Sequence, residues 1–158
     1  MGGRRLVDAV LDVAHGVSDD VLLLNRDRSL EASATRVVAD ASPLRGPLAG
    51  LAAGLEAARH PWCLLLPCDM PHAQQAVVAR LWESHATLPA ARAITVRADG
   101  MSQPFHALYH RDILGDVIDV GLSQRPSLRS LLERLAAQGR HLDIPLESLG
   151  AFADGRFL

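Results

Sequence analysis

The chain has 158 residues, 49% of them hydrophobic and 22% charged, with a formal net charge of −2. That length and balance suit one soluble domain, residues 1–158, with a sizeable core. The near-neutral charge, without a basic stripe or an acidic tail, excludes nucleic acid as an expected partner. All sixteen basic residues are arginine, which excludes a lysine as phosphate clamp, base or Schiff-base former.

Arg4, Arg5 and Asp8 interrupt the opening, so no signal peptide is expected there. No stretch reaches the ~20 apolar residues of a membrane span. The cytoplasm is the expected compartment, and no membrane partner is expected. Leu6, Val10, Leu11 and Val13-Ala14 fall on one helical face, and Gly16 ends the pattern. Val21 to Asn25, VLLLN, reads as a buried strand, and Arg26 to Ala34 as a polar loop. Val37 to Asp40 is a short strand with a carboxylate at its carboxyl end. Pro43, Gly46 and Pro47 mark a loop, and Pro47 fits the first position of a helix running to Arg59. Ala49, Gly50, Ala53 and Gly54 allow that helix to pack closely on a sheet. Gly46 and Gly50 also permit a ligand to approach the backbone at the helix start.

Trp62 to Pro71, WCLLLPCDMP, is the stretch around which the chain is organised. A short apolar run bounded by breakers reads as a strand buried on both faces, as in a parallel sheet covered by helices. Ligands of such sheets bind beyond the carboxyl ends of the strands, where Asp69 is expected. A carboxylate there suits Mg²⁺ that also holds phosphate oxygens. On an extended strand Cys63 and Cys68 lie about 16 Å apart, against the roughly 7 Å a disulfide needs, so both are expected as free thiols.

Gln74 to Glu83 is amphipathic, with Val77, Val78, Leu81 and Trp82 inward. Ala93 to Val96 reads as a strand, Asp99-Gly100 as a hairpin turn, and Gln103 to Tyr109 as the returning strand. Ile113 to Val120 is helical. Pro126 to Ala137 is an amphipathic helix opened by Arg125 and Arg129, and Leu142 to Leu146 is a last strand. The alternation is that of an α/β protein, but it begins with a helix where such a chain should begin with a strand.

Asp40 and Asp69, at two strand ends either side of a glycine-bearing helix start, form the best candidate metal–phosphate pair. Each is also the kind of residue that caps a loop. The seven histidines show no metal-binding spacing; His72 and His106 read as surface or partly buried polar residues. By spacing alone, Arg125 and Arg129 fit a solvated face better than a site. There is no nucleophile elbow, no lysine-bearing phosphate loop and no dinucleotide fingerprint.

The segments GPLAGLAAGL (Gly46 to Leu55) and LLLPCDMP (Leu64 to Pro71) resemble those of the molybdenum cofactor guanylyltransferase family. GGRRLVDAVL, VLLLNRD, VVAD, SQPFHALYHR and RPSLRSLL resemble further segments of that family in the same order, over nearly the whole chain. The resemblance implies a Rossmann-like three-layer α/β sandwich of the nucleotide-diphospho-sugar transferase type. It also implies a nucleotidyltransferase that binds GTP and Mg²⁺. The terminal phosphate of molybdopterin cofactor would attack the α-phosphorus of GTP, releasing pyrophosphate and giving the guanine dinucleotide form. Carried over by residue, Asp69 is the catalytic Mg²⁺ ligand, and Asn25, Asp40, Gly46, Pro47 and Gly50 contact nucleotide. Gln103, Pro104, Arg125 and Arg129 fall where the pterin substrate is expected. Molybdoenzyme maturation proteins are the implied recipients.

Two family segments have no counterpart: an opening strand with the glycine-rich signature LAGGxSxRMGxDK, and a closing NVNTPEEL-like segment. The opening strand would lie between those at Val21 and Trp62, so the fold is expected without its first strand. Two edges are left with unpaired backbone groups, which favours association into a homo-oligomer. Two alternatives stay open beside the transferase. One is a truncated, inactive homologue that binds nucleotide, cofactor or a partner chain. The other is a related nucleotidyltransferase with another nucleotide or acceptor, although the GPLAG and PCDMP pattern argues against the cytidylyl branch.

Overall fold

Pro67 limits the apolar run that starts at Trp62. Lacking an N–H, it cannot continue a ladder, and the strand closes after four residues. The computed structural model describes residues 5–24, 36–38, 43–70, 72–152 and 154–155. Its elements follow the chain as α1 (Leu6–Val17), β1 (Leu22–Leu24), β2 (Arg36–Val38), α2 (Pro47–Ala57), β3 (Trp62–Leu65), α3 (Gln75–Ser84), β4 (Ala93–Ala98), β5 (Met101–His110), α4 (Leu114–Gly121), α5 (Leu128–Ala137) and β6 (His141–Pro145). Short 3₁₀ turns follow α3, β5 and β6.

The described strands form two sheets. β1 and β2 pair in parallel, and a four-stranded sheet has the order β3-β5-β4-β6. β5 runs antiparallel to both β3 and β4, while β6 is parallel to β4. The expectation that the Trp62 strand is buried in a parallel sheet is therefore corrected. Its one partner among the described residues is antiparallel, and its four residues are only half-buried. The cause is its edge position: among the described residues no strand pairs with its far side.

Side chains alternate across the four-stranded sheet as the pleat requires. Ala93, Ala107 and Tyr109 face one layer, built of α2, α4 and α5 with Leu48, Leu55, Ile113, Val117, Leu131 and Leu135. Ile94, Val96, Leu108 and Ile144 face the opposite layer, where α3 contributes Val77, Val78 and Leu81. Leu55, Leu81 and Leu135 are fully shielded from solvent, and burial of such a side chain contributes about 1.5–3 kcal/mol. The result is a three-layer α/β sandwich. α4 and α5 are also joined by charge: Asp116 accepts from Arg134 Nε at 2.8 Å and from Arg140 at 2.9 Å.

The two sheets are tied at one end. Asp20, with its side chain 2% exposed, accepts from Arg36 of β2 and from the backbone N–H of Arg59, each at 2.8 Å. Asp19 meets His60 at 2.6 Å. Residues 19–20 precede β1 and residues 59–60 precede β3, so the amino ends of these two strands lie together and the strands point the same way. β4 and β6 share the direction of β3, and β2 shares that of β1. The carboxyl ends of β1, β2, β3, β4 and β6 consequently face one side.

Candidate functional site

The helices that follow these strands start on that same side. α2 returns to β3 through the short segment 58–61, and α5 returns to β6 through residues 138–140, so both helices begin at the carboxyl ends. α2 begins at Gly46, whose φ of 64° is one that side-chain-bearing residues rarely adopt. Pro47 occupies the first helical position, and neither a side-chain cap nor an acidic residue covers the first turn. The positive end of an eleven-residue helix is thereby left open to an anion. Gly50 lies one turn further in, where an added Cβ would meet Leu24 Cδ1 at 3.5 Å. It seats the helix against β1, as a small residue on a packing face does.

Asp69 follows β3 in the turn Pro67 to Met70, closed by a 3.4 Å bond from the Met70 N–H to the Pro67 carbonyl. The carboxylate is exposed and has no hydrogen bond or ion pair among the described residues. No group of three or more His, Cys, Asp or Glu side chains converges among the described residues. Mg²⁺ suits such a setting, since it commonly takes one or two carboxylates and completes its shell with water and substrate phosphates. Asn25 and Asp40 lie outside the described residues.

β5 brings the next pair. Its register against β4 jumps from Leu108↔Ile94 to Gln103↔Val96, which leaves Pro104 to Ala107 facing Thr95 alone. His106 takes φ 53° within this bulge and is fully buried, not at the surface or partly buried as its sequence context suggests. Tyr109 donates through its hydroxyl to the Pro104 carbonyl at 2.8 Å and braces the bulge. The Gln103 amide reaches the Met101 carbonyl at 3.4 Å. Bulges of this kind re-aim side chains at the rims of sheets.

α5 starts later than its sequence suggests. Ser127 caps it, accepting from the Ser130 N–H at 3.0 Å. Arg125 therefore precedes the helix, and its carbonyl accepts from the Ser130 hydroxyl at 3.0 Å. Arg129 is in the first turn, with its guanidinium 3.4 Å from Met101 Sδ. This contact joins the start of α5 to the start of β5, beside Gln103.

The described arginines divide into those held by carboxylates or carbonyls and those that are not. Arg5, Arg36, Arg59, Arg80, Arg92, Arg97, Arg134 and Arg140 are ion-paired with carboxylates. Arg111 is held by the carbonyls of Ala58 and His60 at the opposite end of the sheet. Among the described residues, the guanidiniums with no carboxylate partner at the carboxyl side are Arg45, Arg125 and Arg129. All three residues are exposed. Arg45 directly precedes Gly46, and sequence reasoning missed it. A single arginine before a Gly-Pro pair carries no periodic signal, although the lack of lysine already required that arginine supply any cation here.

Topology thus places an open helix start, a free carboxylate, a bulged strand and unpaired guanidiniums on one side of the sheet. Fixed cations and a carboxylate-held metal are what phosphoryl chemistry needs, since its catalysis is mainly positioning and charge neutralisation.

Residues 1–140 match the family described as MobA-like NTP transferase domain. The chain is 35% identical over 143 residues to a molybdenum cofactor guanylyltransferase of Pseudomonas aeruginosa PAO1, covering 89% of this chain and 72% of that protein. It is 34% identical over 140 residues to one from Pseudomonas putida GB-1, covering 87% and 72%. Among solved structures, molybdopterin-guanine dinucleotide biosynthesis protein A from Archaeoglobus fulgidus superposes with a TM-score of 0.77 at 21% identity, covering 98% of this chain and 77% of that one. The 2-C-methyl-D-erythritol 4-phosphate cytidylyltransferase of Thermus thermophilus superposes at 0.62 with 16% identity, covering 99% and 91%. Both structural likenesses are of fold. Taken with the sequence match, they establish that this chain belongs to the MobA-like NTP transferase domain family and is a nucleotidyltransferase.

Proposed function

We propose that this chain transfers GMP from GTP to the molybdopterin form of the molybdenum cofactor. A terminal phosphate oxygen of the cofactor forms a bond to the α-phosphorus of GTP. The bond from that phosphorus to the bridging oxygen of the β-phosphate breaks, and pyrophosphate leaves with the electron pair. The observation that carries this reading is the gathering of Arg45, Arg125 and Arg129, without carboxylate partners among the described residues, around the carboxyl side that also presents Asp69. The other described arginines are held by carboxylates or carbonyls, so the free ones form a built-in counter-charge for a triphosphate and a phosphorylated acceptor.

In this reading Asp69 holds Mg²⁺, which when bound draws charge from the phosphate oxygens. The first turn of α2, with Gly46, Pro47 and Gly50, faces the phosphates. Asn25 and Asp40 contact the nucleoside. Gln103 and Pro104 on the bulged strand, with Arg125 and Arg129, receive the pterin phosphate, and Arg45 neutralises charge at the helix start. The product passes to molybdoenzyme maturation proteins, in the cytoplasm. Support comes from the names of the curated relatives and from this charge arrangement.

Calorimetric titration of GTP with and without Mg²⁺ into the purified chain, followed by pyrophosphate release in the presence of molybdopterin cofactor, is the test. Magnesium-dependent binding that Asp69→Ala abolishes, with turnover, supports the reading. GTP binding that Asp69→Ala leaves unchanged refutes the metal assignment. Binding without turnover assigns the chain to ligand binding in place of transfer.

A further inference from the structure

Three strands meet at one carboxylate. Asp143 of β6 stands opposite Thr95 of β4 in the parallel ladder, and its side chain is 10% exposed. Its Oδ1 accepts from the Thr95 hydroxyl. Its Oδ2 accepts from the Ser102 hydroxyl of β5 at 2.6 Å, and from Arg97 Nη2 and Nε at 2.7 and 3.0 Å. Ser102 lies opposite Arg97 in the β4–β5 register. By the alternation of the pleat these side chains share the face of Ala93, on which α5 packs. His141, two residues before Asp143 on β6, meets Thr95 Oγ1 through Nε2 at 2.8 Å.

Burial pushes the Asp143 carboxyl up, but the bonds from Ser102, Thr95 and Arg97 and the neighbouring His141 outweigh it, so it lies below the ordinary 3.8. An ionised carboxylate only accepts. The single Thr95 proton therefore points at Asp143, and His141 Nε2 is the donor to Thr95. That direction excludes a nucleophile, since an imidazole that donates to a hydroxyl cannot take its proton, and Thr95 is fully buried. The group is a clamp, and what it clamps is the bulge of β5. Ser102 directly precedes Gln103, and Thr95 is the β4 residue that residues 104–107 face alone. One carboxylate thus holds both the strand entering the bulge and the residue opposite it, while Tyr109 braces the Pro104 carbonyl. Met101, next to Ser102, carries the contact with Arg129, so the start of α5 leans on the same clamped segment.

We propose that Asp143 is a positioning residue for the acceptor half of the site: through Ser102 and Thr95 it fixes the bulge that presents Gln103 and Pro104 to the phosphorylated pterin. The inference rests on the reading of those two residues as acceptor contacts. It gives Asp143 no part in holding GTP. β3 and β6 stand at opposite ends of the order β3-β5-β4-β6. Three spacings of ~4.8 Å put β6 about 14 Å from the strand that leads to Asp69.

Asp143→Ala and Ser102→Ala are compared with the unaltered chain and with Ser102→Thr, which keeps the hydroxyl. Ser102→Ala cuts only the link to β5, so it carries the test if Asp143→Ala does not fold. Pyrophosphate release at saturating GTP and Mg²⁺ gives the KM for molybdopterin cofactor, and calorimetry gives the Kd for GTP. Both alanine variants should raise that KM about tenfold, as for loss of a bond to a charged group, and leave the GTP Kd within about twofold. Ser102→Thr should restore the KM. Hydrogen exchange at the amides of Phe105 and His106 should quicken about tenfold in the alanine variants, with residues 108–110 unchanged. An unchanged KM, an equal loss of GTP affinity, or a Ser102→Thr chain that stays impaired overturns the proposal. An unaltered chain that releases no pyrophosphate refutes the transfer reading instead. Exchange at Phe105 and His106 then decides the clamp by itself, and unchanged exchange in the alanine variants overturns it.

Discussion

Asp116 offers the sharpest check on the scaffold that carries Arg125 and Arg129. Its carboxylate, 11% exposed, accepts from Arg134 on one oxygen and from Arg140 on the other. Asp116→Asn keeps the shape but can offer only one oxygen, so in either amide orientation one guanidinium faces an NH₂ group. Charge-assisted bonds contribute about 1.5–3 kcal/mol each. Here both arginines have second partners, Asp119 for Arg134 and Gln138 for Arg140, and Arg134 is 43% exposed, so the figure is discounted by about half for screening. The variant is expected to lose about 1–2 kcal/mol at pH 7, which for a chain of this size lowers Tm by roughly 3–6 °C. The pH dependence has a definite sign. Burial pushes the Asp116 carboxyl up, but the bonds from Arg134, Gln138 and Arg140 outweigh it, and the folded pKa lies below the ordinary 3.8. Its contribution is complete above 3.8 and is lost as pH falls through the folded value. Urea denaturation of both proteins at about pH 7, 5 and 3 should show a constant gap at the first two and a narrowed gap at the third. An equal gap at all three, or none at neutral pH, refutes the assignment of charge to this joint.

Arg45→Ala should weaken GTP binding roughly tenfold, the equivalent of about 1.4 kcal/mol, reduce its salt dependence and leave Tm unchanged; calorimetry at two ionic strengths measures both. Leu55→Ala, at a fully buried site between α2 and the sheet, should cost about 2–5 kcal/mol in denaturant unfolding. Of the two free thiols, exposed Cys68 should react rapidly with a disulfide reagent at mildly alkaline pH, and Cys63, pushed up to about 11 by burial, slowly; equal rates would show that β3 opens readily.

Periodicity and punctuation carried most of the fold. The amphipathic spacing of Val77, Val78 and Leu81 placed α3, and Leu128 to Leu135 placed α5, because a helix that buries one stripe writes that stripe into its sequence. Pro47 and Gly46 placed the start of α2 within a residue. Strand pairing was less legible. An apolar run such as Trp62 to Leu66 is compatible with either a parallel or an antiparallel neighbour, and only the returning β5 decides it. The start of α5 was misplaced because Pro126 and Ser127 are both good opening residues, and Ser127 prevails by capping Ser130. The positions of Gly46 and Asp69 on one side followed from alternation of strands and helices, whereas Gln103 and Arg129 were expected there only through the family resemblance. Arg45 and the His106 bulge followed from neither, since a solitary cation and a positive φ leave no pattern.

The pin at Asp20 sets the order in which this molecule comes apart. β1 and β2 are three residues each, too short to persist as an independent sheet. They hold to the remainder through α2 and through a carboxylate that reaches Arg36 on one side and the backbone of Arg59 on the other. Whatever removes that carboxylate's charge releases both attachments together. The first cooperative opening is therefore expected to detach the β1–β2 unit, with the four-stranded sheet and its helices intact. Limited proteolysis of Asp20→Asn should accordingly cut ahead of α2 and leave a resistant carboxyl-terminal fragment.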